Sequence, residues 1–165
     1  MTDLEQLLQP AWGYFQLGMY QEANDEIETL PLAVQTAREV LGLRARIYEA
    51  LGEWQLLLEV GGFLVRTWPE VSQHWLWLAY AIRACRTAGE AELLLLDALR
   101  LHPSNATIHF YLACYMSQLG KLESALEHLT DAIDLDATVQ DMYDPDLDPL
   151  WLSLGRIPPK REDYD

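Results

Sequence analysis

Apolar residues in this chain recur at helical spacing. Trp75, Leu78, Ala79 and Ile82 fall at i, i+3, i+4 and i+7, one face of an α-helix. Gly89 then predicts a turn, and Ala91, Leu94, Leu95 and Ala98 mark the apolar face of a second helix. Leu101-His102-Pro103 predicts its end, because proline cannot donate to the helical ladder. The same plan then restarts. Ser104 or Asn105 supplies a cap, His109, Leu112, Ala113 and Met116 line one helix, Gly120 turns the chain, and Ala125, Leu129 and Ala132 line the next.

This hairpin unit repeats along the chain. Ala11, Ala45, Ala79 and Ala113 are spaced by 34 residues, as are Ala23, Leu57, Ala91 and Ala125. Ile27, Gly61, Leu95 and Leu129 keep the same step of 34, as do Leu30, Leu64, Ala98 and Ala132. Gly18, Gly52 and Gly120 differ by 34 and 68, and Pro69 and Pro103 by 34. Agreement of so many registers at one interval predicts stacked helical hairpins, with alanine where paired helices approach closely.

The predicted fold is therefore all-α, a solenoid of about four helix-turn-helix units spanning 1–137. Their approximate limits are 4–37, 38–71, 72–105 and 106–137. Beyond 137 the repeat stops. Leu147, Leu150, Trp151 and Leu154 have helical spacing with Gly155 after them, so 138–155 is expected to cap the last apolar face, and 156–165 to form a tail.

Several residues break the pattern. Thr2-x-x-Glu5 reads as a capping box for the first helix, and Pro10 is expected to kink or split that helix. Pro31 predicts a fresh helix start near Val34. Gly61-Gly62 falls inside a helix, where each glycine costs about 1 kcal/mol relative to alanine. Close helix packing, with Trp54 and Trp68 filling the volume, explains that pair better than a flexible joint.

These residues resemble a known family. The tetratricopeptide signature is W-x2-L-G-x2-Y…A-x3-F…P at a 34-residue period. Trp75-x2-Leu78-Ala79-x2-Ile82, Ala91-x3-Leu95 and Pro103 match it, as do His109-x2-Leu112-Ala113-x2-Met116 and Ala125-x3-Leu129. Leu41 to Tyr48 with Pro69 is a partial match, and Leu7 to Tyr14 with Ala23 and Ile27 a weaker one. The resemblance covers roughly 4–137, and the whole chain is similar to small stand-alone bacterial members ending in an Asp-rich segment followed by Leu-Trp. It implies a right-handed α-α superhelix and a protein-interaction module whose first helices line a concave face.

Charge narrows the partners. The formal net charge is −15, with 26 acids against 11 bases. Nucleic acid and anionic membranes both require clustered Lys/Arg, so neither is expected as a partner. The acids concentrate at the ends: residues 1–37 hold six acids and no base, 38–100 eight acids and seven bases, and 101–165 twelve acids and four bases. The opening residues Met1 to Glu5 lack the basic start and apolar run of a secretory signal. Cys85 and Cys114 have no metal or redox spacing and suit a reducing compartment, so a cytoplasmic location is expected.

Little in the sequence points to chemistry. Asp144-x-Asp146-x-Asp148 hints at calcium, but a calcium loop would need glycine and glutamate where Pro149 and Gly155 stand. Asp144-Pro145 and Asp148-Pro149 read better as helix starts. Asn105-Ala106-Thr107 likewise reads as a helix start rather than a glycosylation acceptor. His74, His102, His109 and His128 show no zinc spacing; His102 is expected at the surface and His109 packed in the core, in the place of Trp75. No nucleophile elbow or phosphate loop appears. No catalytic residue, metal site or cofactor is expected, and the chain is read as a non-enzyme.

The binding face follows by subtraction. If Trp75, Leu78, Ala79 and Ile82 face the stack, Trp77, Tyr80 and Arg83 face elsewhere. Shifting by 34 residues adds Arg46 and Glu49, Trp12 and Phe15, and Tyr111, Cys114 and Ser117. Aromatic residues and arginine commonly anchor interfaces. The expected partner is a protein or peptide segment, apolar-aromatic with an acidic group for the arginines. One subgroup of the family clamps an acidic C-terminus with lysine, asparagine and arginine. The corresponding places here hold Leu8, Trp12, Leu43, Gln73 and Trp77, or, one repeat on, Gly42, Arg46, Trp77, Thr107 and Tyr111, so that clamp is missing. The alternative is a self-associating homo-oligomer in which acidic ends meet Arg38, Arg44, Arg83 or Arg86.

Overall fold

The computed structural model describes residues 3–142 and 147–154. Among them there are helices and connecting turns but no strand. The chain divides into two compact units, Met1–Cys85 and Arg86–Asp165. The division falls within the expected third repeat, 72–105.

The first unit contains α1 (Asp3–Gln16), α2 (Tyr20–Glu28), a single turn α3 (Leu32–Gln35), α4 (Arg38–Leu51), α5 (Trp54–Thr67) and α6 (Ser72–Cys85). Neighbours in sequence pack as neighbours in space: α1 on α2, α2 on α4, α4 on α5 and α5 on α6. The second unit contains α7 (Ala88–Leu101), α8 (Ala106–Gln118), α9 (Leu122–Leu135), a 3-10 turn (Ala137–Asp141) and α10 (Asp148–Ser153). Here α7 packs on α8 and α8 on α9, while the 3-10 turn and α10 both rest on α9. Leu147, Leu150 and Trp151 are buried at that end.

The periodic positions are the core. Ala11, Ala45, Ala79, Ala113 and the other three sets of 34-residue relatives are all buried, Gly61 among them. Gly61 shows why small residues stand there. A Cβ at Gly61 would lie 3.2 Å from the Leu78 Cα and 3.3 Å from its nitrogen, so α5 and α6 touch backbone to backbone. Close packing thus accounts for this glycine. Trp54, however, is exposed and does not fill that volume, whereas Trp68 packs against the core cluster.

Gly18, Gly52 and Gly120 each end a helix at φ near +70°, at +74°, +71° and +74°. Each turn closes with the same long bond: Met19 to Tyr14, Glu53 to Tyr48 and Lys121 to Met116, amide nitrogen to carbonyl oxygen at 3.0, 2.8 and 2.9 Å. This left-handed closure favours glycine. The remaining turn of the series is built differently. Gly89 does not form it; it lies inside the first turn of α7, and the connection is Arg86-Thr87. The Thr87 hydroxyl accepts from the Glu90 amide at 3.1 Å and starts α7. Asn105 starts α8 in the same way, its side chain accepting from the Ile108 amide at 3.0 Å.

Other expectations change. α1 runs unbroken through Pro10, which is exposed, so the carbonyl that loses its partner can turn to water. Pro31 is followed directly by the single turn α3, Leu32–Gln35, capped at Thr36, and the long helix of the second repeat starts only at Arg38. His102 is half-buried rather than at the open surface. α10 begins at Asp148 with Pro149 in its first turn. The Thr2 cap, the pair Asp144 and Asp146, Gly155 and the tail 156–165 lie outside the described residues.

Candidate functional site

The first unit brings five of the predicted groove residues together. Trp12 and Phe15 come from α1, Arg46 and Glu49 from α4, and Trp77 from α6. α4 packs against both α1 and α6, so three helices contribute to one surface. A cavity of about 650 Å³ opens there, with Leu4, Leu8, Trp12, Leu43 and Trp77 as its apolar lining. Glu5, Glu39 and Arg46 form its polar rim. A second hollow of about 390 Å³ shares Arg46 and Trp77 and adds Phe15, Glu49 and Gln73.

Local contacts hold this surface in shape. The Arg46 guanidinium lies 5.5 Å from the Trp12 ring centroid, within cation–π range. Trp12 meets Phe15 edge-on, centroids 5.6 Å apart, and Phe15 leans on Tyr20 at 5.4 Å. Trp77 donates its indole N–H to Glu49 Oε2 at 3.1 Å. Burial pushes the Glu49 carboxyl above its usual range, while the Trp77 bond and the Arg46 charge oppose that rise. His74 stacks on Trp77, centroids 5.9 Å apart, and contacts the Trp68 carbonyl through Nδ1 at 3.1 Å.

Trp77 plays a different part from the one expected. It is only 5% exposed, so it floors the cavity rather than projecting from it. Tyr80 is half-buried and Arg83 exposed, both on α6. Tyr111, Cys114 and Ser117 lie on α8 in the second unit. Cys114 is wholly buried there and offers no surface to a partner, while Tyr111 and Ser117 are half-buried. Of the other lining residues, the sequence reading placed Leu43 on this face, named Leu8 and Gly42 only as places where the carboxylate clamp is missing, and did not single out Leu4.

The second unit holds a constellation that linear spacing concealed. His109 on α8 faces His128 on α9, Nδ1 to Nδ1 at 3.0 Å, with Asp131 Oδ2 3.6 Å from His109 Nδ1. His109 is buried, as expected. Burial, and secondarily His109, lower the pKa of His128. Nearby, the buried Glu92 carboxylate accepts from Lys121 Nζ at 2.7 Å with both oxygens.

The family model for the tetratricopeptide repeat matches residues 94–127, from the second half of α7 into α9. That span is one full period of the repeat. This stretch of the chain matches a tetratricopeptide repeat. Solved structures agree at the level of fold. A thermophilic TPR protein of Thermus thermophilus, TTC0263, is 24% identical over 93% of this chain and 84% of its own, with a TM-score of 0.71. MamA from Desulfovibrio magneticus RS-1 is 20% identical over 85% of this chain and 78% of its own, also at 0.71. MamA AMB-1 is 21% identical over 82% and 74%, at 0.67. No curated protein matches in sequence. Tetratricopeptide repeats are protein-interaction scaffolds, and among the described residues of this chain no helix is long and apolar enough to cross a membrane.

Proposed function

We propose that this chain is a tetratricopeptide-repeat protein and a non-enzymatic adaptor, and that the α1–α4–α6 cavity of its first unit receives a segment of a protein partner. The observation that carries this reading is the cavity itself. Its 650 Å³ volume is lined by leucine and tryptophan and bordered by a few charged groups, the composition of a peptide-anchoring pocket.

The lining also narrows the ligand. A flat apolar or aromatic side chain fits between Trp12, Leu8 and Leu43 above the Trp77 floor. Of the charged residues on the two hollows, Arg46 is the cation, and Glu5, Glu39 and Glu49 are acidic. A strongly acidic segment would be repelled there. The ligand is therefore an apolar-aromatic segment with at most one carboxylate, directed at Arg46. The four-repeat layout over 1–137 remains part of this proposal, with Tyr80, Arg83, Tyr111 and Ser117 as further candidate contacts on the first helices of later repeats.

The self-association reading draws less support. Arg44 binds Glu28 at 2.8 Å and Gln35 at 2.9 Å, Arg86 pairs with Glu90 at 3.2 Å, and Arg38 lies 3.5 Å from Glu39. Three of the cations it requires already have acidic neighbours within the chain.

The test is selection from a random peptide library displayed on phage, followed by affinity measurement on synthetic peptides. Selected peptides are expected to share an aromatic or branched apolar anchor. Their affinity should fall at least about tenfold on Trp12→Ala, the loss of one anchor contact of about 1.4 kcal/mol. Arg46→Glu should weaken those peptides that carry a carboxylate. Failure to enrich any sequence, or peptides that bind both folded variants as well as the parent, would refute the proposal.

A further inference from the structure

The histidine pair of the second unit has a tautomer fixed by its surroundings. His109 Nε2 lies 3.1 Å from the Pro103 carbonyl oxygen. Trp75, 34 residues earlier, makes the equivalent contact: its indole N–H donates to the Pro69 carbonyl at 2.8 Å. A carbonyl only accepts, so His109 carries its proton on Nε2. In a neutral imidazole the other nitrogen then holds a lone pair. That lone pair, on Nδ1, faces His128 Nδ1 at 3.0 Å and Asp131 Oδ2 at 3.6 Å.

His128 and Asp131 stand three residues apart on α9, so they share one helix face. The ligand atoms of all three residues lie within 4.8 Å of one another. Three electron-pair donors from two helices thus converge on one point. A packing histidine needs only one partner, and His109 already has the Pro103 carbonyl.

We propose that His109, His128 and Asp131 form a binding site for a divalent transition-metal ion of the zinc class. Two imidazole nitrogens and one carboxylate oxygen are a donor set that zinc takes readily. With bonds of about 2.0–2.1 Å, a tetrahedral ion holds its ligands about 3.3 Å apart. The observed 3.0 and 3.6 Å lie on either side of that spacing, so small ring rotations suffice. The Pro103 carbonyl supplies the outer contact that orients a metal-bound imidazole. Asp131 is exposed and His128 half-buried, which gives the ion a way in and leaves a fourth position for water.

Without metal, His128 donates its Nδ1 proton to His109 Nδ1. Binding moves that proton to His128 Nε2, so the ring stays neutral and its Nδ1 lone pair, with that of His109, takes the cation between the two nitrogens. The ion clamps α8 to α9 within one hairpin. This site is separate from the cavity of the first unit, and neither proposal depends on the other.

The experiment uses the full-length chain, freed of any polyhistidine tag, titrated with cobalt(II) and followed by its visible absorption, then back-titrated with zinc(II). The expected result is one equivalent bound with a dissociation constant at or below about 10 µM and displacement by zinc. His128→Gln should weaken binding at least about 100-fold and Asp131→Asn at least about 10-fold, as loss of direct ligands exceeds loss of outer partners. Asp131 is exposed, so its variant keeps the fold and decides the matter if His128→Gln unfolds. Absence of stoichiometric binding, or affinity unchanged in the folded variants, would overturn the proposal.

Discussion

Trp77 and Glu49 are joined across α6 and α4 by an indole N–H bond to the carboxylate, 3.1 Å long. The contact sits beneath the cavity, so it couples the shape of the candidate binding surface to the ionisation of one acid. Glu49→Gln preserves the acceptor and removes the buried charge. Glu49→Ala leaves the Trp77 N–H without its partner and should cost about 1–2 kcal/mol. Urea denaturation of both variants at neutral pH checks this: Gln should equal or exceed the parent, and Ala should fall below it. The folded-state pKa of Glu49 is raised above its ordinary value of 4.5. Its contribution is thus fully present below pH 4.5 and is lost as pH rises through the folded value. The Gln variant should lose that part of the pH dependence.

His74 acts in the opposite sense. Burial lowers its pKa from 6.5, against opposing backbone contacts from Trp68 and Leu64. The unfolded chain therefore binds the proton more readily than the folded one. The contribution is present above pH 6.5 and is lost as pH falls from there to the folded value. Unfolding midpoints measured on both sides of pH 6.5 should show less acid destabilisation in His74→Phe than in the parent. His128, lowered in the same direction, should account for part of what remains.

The two adjacent glycines of α5 should respond differently to alanine. A methyl at Gly61 meets Leu78 backbone at 3.2 and 3.3 Å, and backbone cannot step aside. Gly61→Ala should destabilise by about 1–3 kcal/mol through overpacking. At Gly62 the nearest atom is Arg66 Nη1 at 3.3 Å, the end of a flexible side chain. Gly62→Ala should therefore gain up to about 1 kcal/mol of helix propensity. Thermal melts of the two single variants give the signs directly.

Lys121 holds a buried acid. Glu92 is 4% exposed, and both its oxygens accept from Lys121. Removing one partner of a fully buried pair costs about 3–5 kcal/mol; Lys121 is half exposed, so Lys121→Met should cost less, about 2 kcal/mol. Changing both residues, Glu92→Leu with Lys121→Met, should recover most of that loss. A double-mutant cycle by urea denaturation measures it.

The core was legible in the sequence because a solenoid repeats its packing. Within each unit the helices meet through equivalent positions, and Ala11, Ala45, Ala79 and Ala113 are accordingly small and buried. The binding face was less legible. Subtraction assumes that a helix has one buried side, yet α6 is buried from His74 through Ala79 and again at Ala81 and Ile82. α8 is likewise buried over Ile108–Phe110 and Leu112–Met116, being held between α7 and α9. Trp77 was therefore expected to project from an open face when it floors the cavity, and Cys114 was assigned to that face although it is wholly buried. His109 and His128 belong to neighbouring helices, and no linear spacing rule connects them. Their meeting depends on how α8 crosses α9.

The most direct test of the central claim is an NMR titration of the isotopically labelled chain with a library-selected peptide, observing the tryptophan indole N–H signals. Trp12 lines the cavity and Trp77 floors it, whereas Trp54 lies outside the residues that line it. Saturable shifts of the Trp12 and Trp77 signals, with Trp54 unmoved, are the expected result. Binding that leaves Trp12 and Trp77 unshifted would contradict the claim.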